Sequence, residues 1–242
     1  MWSQTPAREG VVLLHGIARR AASMAPMARR LRAAGYATLN LGYPARHAAL
    51  EDLVEAVAPQ VAAFAAPLDR LHFVTHSMGG LLARALITRH RPPRLGRVVM
   101  LGPPNGGSEV ADALHRLALY RRVFGPAGAQ LTTRRSAALE RLLGPVDYPL
   151  GVIAGDRSSD PVASRLFLEG PNDGRVTVAR TRLAGMADHL TLHTTHATMM
   201  WNRRVMAETL QFLCEGRFTS ETPLTSRAIC ATKAAASTAK LF

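Results

Sequence analysis

The stretch Leu71-His72-Phe73-Val74-Thr75-His76-Ser77-Met78-Gly79-Gly80-Leu81-Leu82 decides how the chain is read. Leu71, Phe73 and Val74 favour an extended strand, whereas Leu81, Leu82, Ala83, Ala85, Leu86 and Ile87 make an apolar run of helical length. Strand and helix therefore meet across a very short turn, with Ser77 at the corner. A turn that tight strains its central residue, and the small neighbours Gly79 and Gly80 supply the room it needs. The serine hydroxyl is expected to stand clear of the sheet edge, at the positive end of the helix that follows.

On either side of this stretch, apolar strand-length and helix-length segments alternate. A strand is expected over 11–14, ending at His15-Gly16-Ile17, and then a helix over 23–34 closed by Gly35. A strand over 36–41 and a helix over 48–65 come next, with Pro59 a potential kink. Beyond Ser77 the helix runs to about His90, Pro92-Pro93 break the chain, and a strand covers 98–101. This order predicts an α/β fold: a mainly parallel sheet with helices on both faces and the connecting loops gathered on one edge by right-handed crossovers. Over 103–145 the pattern breaks into short helical pieces at 109–120 and 136–143, joined around Gly125-Pro126. The segment reads as a small lid or as ordinary surface helices, which share this composition. Strands at 150–154 and 190–193 and a closing helix at 199–213 complete one domain over 1–218. Residues 219–242 turn to Ser, Thr, Ala and Pro without periodicity, and such a tail is expected to be disordered.

Composition narrows the function classes. In 242 residues no apolar run approaches membrane-spanning length, and no basic segment followed by an apolar one opens the chain, so a cytoplasmic protein without a transmembrane segment is expected. The net charge of +13 is carried almost wholly by arginine, with Lys233 and Lys240 the only lysines. The arginines are scattered and form no basic stripe interleaved with aromatics, which argues against nucleic acid as a partner. The surplus leaves room for weak attraction to anionic lipid surfaces or acidic substrates. Cys214 and Cys230 give neither a disulfide framework nor a metal-ligand spacing, and no metal or cofactor is expected.

His76-Ser77-Met78-Gly79-Gly80 after an apolar strand resembles the nucleophile elbow of the α/β-hydrolase superfamily, most closely its bacterial lipase and esterase branch. One position departs from the common G-x-S-x-G form: Thr75 stands where the first glycine would be. The resemblance implies Ser77 as a nucleophile, which needs a base, a group that orients the base, and donors for an oxyanion. His196, between the last strand and the closing helix, occupies the loop position that the fold reserves for the base; His189 and His193 are its rivals. Asn172-Asp173-Gly174-Arg175-Val176 resembles the Asn-Asp-Gly-x-Val segment of bacterial lipases and makes Asp173 the acid. Asp156 in Gly155-Asp156-Arg157 is the alternative, since it also follows an apolar strand. His15-Gly16 matches the lipase His-Gly, so the backbone N–H groups of Ile17 and Met78 are the expected oxyanion donors, with His15 itself structural. Asn105-Gly106-Gly107-Ser108 is similar to a Pro-Asn-x-Gly-Ser segment of the same group and is expected to shape the pocket wall. His47, His72, His90 and His115 lack any such context and read as structural or surface histidines. The calcium site of some bacterial lipases is not carried over, because its acidic residues are not identifiable here.

What the resemblance implies is a serine hydrolase that cleaves a small-molecule acyl ester through a Ser77-His196-Asp173 triad and an acyl-enzyme. An acyltransferase or thioesterase would use the same triad, and Thr75 keeps open a binding protein of hydrolase fold without catalysis.

Overall fold

The computed structural model describes residues 7–159, 164 and 166–219 of the chain. Among the described residues six strands form one parallel sheet: β1 (Glu9–Leu14), β2 (Ala37–Leu41), β3 (Arg70–His76), β4 (Leu95–Leu101), β5 (Leu150–Gly155) and β6 (Asp188–Leu192), in the spatial order β2-β1-β3-β4-β5-β6. All neighbouring pairs run parallel, so each link is a crossover, and the sheet is covered on both sides. Strand residues alternate between two cores. Val12, Leu14, Phe73, Val98, Met100 and Val152 pack against α2 (Leu50–Ala65) and α3 (Met78–Arg89). Val11, Leu13, Val74, Val99, Leu101 and Ile153 face α1 (Ala25–Ala33) and the C-terminal helix. Burial of both faces is why these strands read as continuous apolar runs.

The strand order reverses between β1 and β3, because β2 lies outside β1 on one side and β3 adjoins it on the other. At such a switch point the loops leaving the two strands diverge and open a crevice at their carboxyl ends. The loops involved are His15-Gly16-Ile17 after β1 and the Ser77 corner after β3.

Several element boundaries differ from expectation, for local reasons. The helix expected over 109–120 is two: α4 (Glu109–Leu114) and α5 (Ala118–Ala129). His115 ends the first, since its Nδ1–H donates back to the carbonyls of Ala111 (3.1 Å) and Asp112 (2.8 Å). α5 is two helical pieces that meet across a kink at Gly125, whose φ of 59° and ψ of −160° are non-helical. α6 (Ala137–Leu143) begins behind Ser136, whose hydroxyl accepts from the Leu139 N–H. The crossover between Asp173 and β6 holds only one short helix, α7 (Val178–Thr181). The closing helix α8 (Arg203–Glu215) starts later than expected, after a 3-10 turn at Met199–Trp201. Asn202 caps it by accepting from the Arg204 and Val205 N–H groups. α2 runs through Pro59 as one helix. No helix among the described residues is long and apolar enough to cross a membrane. The tail expected over 219–242 lies outside the described residues except for Thr219, whose N–H donates to Glu208.

Candidate active site

Ser77 sits between β3 and α3 with φ 54° and ψ −126°, the one non-glycine residue of positive φ among those described. That conformation costs an L-residue on the order of 1–3 kcal/mol and persists only where its surroundings over-determine it. Here they do. The Ser77 N–H donates to Leu101 O (2.9 Å), and Gly79 lies so close to β1 that a Cβ there would meet Leu14 O at 2.5 Å and His15 O at 2.8 Å. α3 can begin where it does only with glycine at that contact.

Three side chains from distant parts of the chain meet at this corner. The Ser77 hydroxyl lies 3.0 Å from His196 Nε2, and His196 Nδ1 lies 2.7 Å from Asp173 Oδ2. Asp173 is 1% exposed, and its other oxygen accepts the backbone N–H groups of Arg175 (2.9 Å) and Val176 (2.8 Å). Its carboxylate is thereby fixed on both sides, which sets the imidazole proton on Nδ1 and leaves Nε2 to accept from Ser77. The rival residues find each other instead: His193, just past β6, lies 3.0 Å from Asp156, and both are solvent-accessible. His189 lies within β6 and bonds Thr181. Neither reaches Ser77.

Further residues shape this corner without any signal in the sequence analysis. Gly102 (φ 54°) follows β4 directly behind the acid and the imidazole: a Cβ there would sit 3.0 Å from Asp173 Oδ2 and 3.1 Å from His196 Nδ1. Gly155 is equally tight, its Cβ position 2.8 Å from the Cβ of Asp173. His76 donates from Nε2 to His196 O (2.9 Å), and its ring lies 4.8 Å from the His196 ring. Burial, with the neighbouring His196 charge, holds the His76 pKa well below the usual histidine range, so it stays neutral. A glycine at a strand end is the one sequence cue that could have pointed to 102 and 155, because it marks close approach of another segment.

The loop after β1 is also pinned. Tyr43 stacks on His15 at 4.1 Å and donates its hydroxyl to His15 O, while His15 Nδ1–H donates to Gly16 O (2.8 Å). Arg19 N–H also donates to Gly16 O, at 3.1 Å. A trans peptide points its C=O and N–H in opposite directions, so fixing the Gly16 carbonyl orients the Ile17 N–H away from these partners. Neither the Ile17 nor the Met78 N–H has a hydrogen-bond partner among the described residues. Burial lowers the His15 pKa and raises that of Tyr43, so both are neutral near pH 7.

These groups open into a cleft of about 260 Å³. One wall is apolar, from Ile17, Val110, Leu114, Tyr120, Phe124 and Val176, most of it supplied by the segment between β4 and β5. The turn before α4 is held from beneath: Asn105 donates to Thr181 O (2.9 Å), and Arg135 donates to the carbonyls of Pro104 and Asn105. Ser108 ties α4 to the acid loop by donating to Arg175 O (2.8 Å). A larger groove of about 620 Å³ lies between α2 and the end of α3, but none of the three converging side chains lines it. All three line the smaller cleft.

The arrangement can present a hydroxyl to a base whose orientation is fixed, beside two unengaged backbone donors. Among solved structures, the mature Bacillus licheniformis lipase BlEst2 is similar at 21% identity and a TM-score of 0.71, covering 86% of this chain and 93% of that one. A metagenomic carboxyl esterase, MGS0156, matches at 19% identity and a TM-score of 0.66, covering 81% and 66%. Phospholipase PlaB from Legionella pneumophila matches at 20% and 0.56, covering 72% and 45%. No curated protein matches the sequence. The model of the alpha/beta hydrolase family matches residues 11–238, and this chain belongs to that family.

Proposed function

We propose that the protein is a serine hydrolase of carboxylic esters. The observation that carries this reading is the continuous run of hydrogen-bond contacts from Ser77 through His196 to Asp173, at 3.0 and 2.7 Å, opening into an apolar-walled cleft. In the proposed reaction Ser77 Oγ attacks the ester carbonyl carbon while His196 Nε2 takes its proton, and Asp173 stabilises the imidazolium that forms. The negative charge on the former carbonyl oxygen is held by the Ile17 and Met78 N–H groups. Collapse breaks the bond to the alcohol oxygen, which receives the proton from His196, and leaves an acyl group on Ser77. Water, deprotonated by the same imidazole, then releases the carboxylic acid and restores the serine. The segment 103–145 acts as a cap that keeps bulk water from the acyl group, consistent with its share of the cleft wall.

The test is labelling by a fluorophosphonate together with turnover of a short-chain 4-nitrophenyl ester. Wild type should label and turn over. Ser77→Gly, which accepts the positive φ without strain, should lose both while melting no lower than wild type. Labelling that survives in this variant would remove Ser77 from the mechanism.

A further inference from the structure

The charge around the cleft is lopsided. Among the described residues that line it, Arg19 and Arg175 are the cations, and Asp173 is the one carboxylate. Asp173 offsets one of the two charges but pairs with neither arginine: it is buried, and its oxygens are engaged by His196 and by the Arg175 and Val176 N–H groups, so the lining keeps a net positive charge. The side chain of Arg175 is exposed and has no ion-pair partner among the described residues, whereas Arg180, close by in sequence, pairs with Glu109 at 2.8 Å. Arg19 is held in place, donating from Nη2 to Ala197 O (2.9 Å) with its guanidinium 5.5 Å over the Trp201 ring. That leaves most of its donors unused.

The two arginines are held by different loops, Arg19 against the one that carries His196 and Arg175 within the one that carries Asp173. Arg19 is anchored to Ala197, next to His196, and in the proposed reaction His196 hands its proton to the departing alcohol. Arg175 follows Asp173 in the chain and lines the same cleft as Tyr120, whose hydroxyl feels the Arg175 charge together with the opposing charge of Asp112; in the proposed reaction this apolar wall receives the acyl chain. A guanidinium that lines the cleft with no ion-pair partner among the described residues favours a ligand that brings negative charge. The planar guanidinium donors match carboxylate and phosphate oxygens in particular.

We propose that the cleft selects esters bearing a carboxylate or phosphate, recognised by Arg175 on the acyl side and Arg19 on the alcohol side. This rests on the hydrolase reading above. The test compares matched substrates within each protein, so that any general loss of activity cancels. One pair is 4-nitrophenyl butyrate and mono-4-nitrophenyl succinate, whose acyl chains have the same length and differ by a terminal carboxylate. The other is phenyl acetate and 3-carboxyphenyl acetate, which places the carboxylate on the leaving alcohol. In wild type the ratio of kcat/KM, anionic over neutral, should fall at least about five-fold as salt rises from about 0.02 M to about 0.5 M. Arg175→Gln should lower the first ratio, and Arg19→Gln the second, by about ten-fold each. A fall in only one pair would assign the anion to that side. Ratios that neither salt nor substitution changes would overturn the proposal while leaving the hydrolase intact. A wild type that neither turns over the neutral esters nor labels with a fluorophosphonate would remove the hydrolase reading, and this proposal with it.

Discussion

Gly102→Ala tests how much of the site depends on a residue that carries no functional group. Its effect has two separable parts. The first is conformational: at φ 54° an alanine pays about 1–2 kcal/mol that glycine does not. For a chain of this size that lowers Tm by roughly 2–8 °C. The second part is steric and local. The new methyl would stand 3.0 Å from Asp173 Oδ2 and 3.1 Å from His196 Nδ1, so something must give by a few tenths of an ångström. Asp173 is anchored by two backbone N–H groups, and the Gly102 N–H is itself bound to Ile153 O at 2.8 Å. The least restrained partner is the imidazole, whose displacement lengthens its 3.0 Å contact with Ser77. Misplacement of a reacting group by about 1 Å costs on the order of a hundred-fold, so a few tenths should lower kcat about ten-fold with KM little changed.

Gly35→Ala is the control. Gly35 also has positive φ, at 90°, but a Cβ there meets nothing within 4 Å, so this variant should lose stability and keep its kcat. Steady-state kinetics on a short-chain 4-nitrophenyl ester and thermal melts on the three proteins decide the matter. Full kcat in Gly102→Ala, or an equal loss in Gly35→Ala, would refute the steric argument.

Asp173→Asn should reduce kcat by several orders of magnitude, because an amide in that place favours the wrong imidazole tautomer, whereas Asp156→Asn should cost no more than a few-fold. The opposite ranking in steady-state assays would transfer the orienting role to Asp156. Thr75→Val removes a buried hydroxyl that has no partner among the described residues and should stabilise the fold by about 1 kcal/mol, read as a Tm rise of roughly 2–4 °C; a fall would show that the hydroxyl is satisfied. Burial depresses three histidines, His15, His76 and His189, the last to about 4, whereas in the unfolded chain they titrate near about 6.5. The unfolded state therefore binds more protons in that interval. Stability should be full above about pH 6.5 and decline as pH falls toward 4, and a Tm unchanged between pH 7.5 and 5 would contradict this.

The elbow was legible because its cause is local: an apolar strand, a corner and a helix leave only small residues room around Ser77. The alternation of strands and helices was legible for the same reason, since burial of both sheet faces writes continuous apolar runs into the sequence. Strand order was not. Any arrangement of parallel strands satisfies that alternation, and the reversal at β1 and β3 that opens the cleft is a choice of crossover direction, not of composition. Chain order left two acids and three histidines open, and four of these residues meet in pairs, Asp173 with His196 and Asp156 with His193. What distinguishes them is burial, which no single position reveals. Likewise nothing about Tyr43 or His76 in the sequence says that one grips the loop after β1 and the other the carbonyl of His196.

The threonine at position 75 illustrates how such a departure is accommodated. A glycine before the elbow gives the first turn of the following helix space to pack onto the strand, and Thr75 fills that space with a buried side chain. The room is returned from the other side. Gly80 faces Thr75 across the contact, where an added Cβ would come within 3.4 Å of the threonine hydroxyl, 3.2 Å of Met100 Sδ and 3.1 Å of Pro103. Glycine at 80 therefore supplies clearance that the common pattern provides at 75, and Gly79 remains committed to its approach to Leu14 O and His15 O. Ser77 keeps its positive φ and its reach to His196 because the volume was moved along the helix and not lost. The pair Gly79-Gly80, rather than the first position of the motif, is what the corner requires.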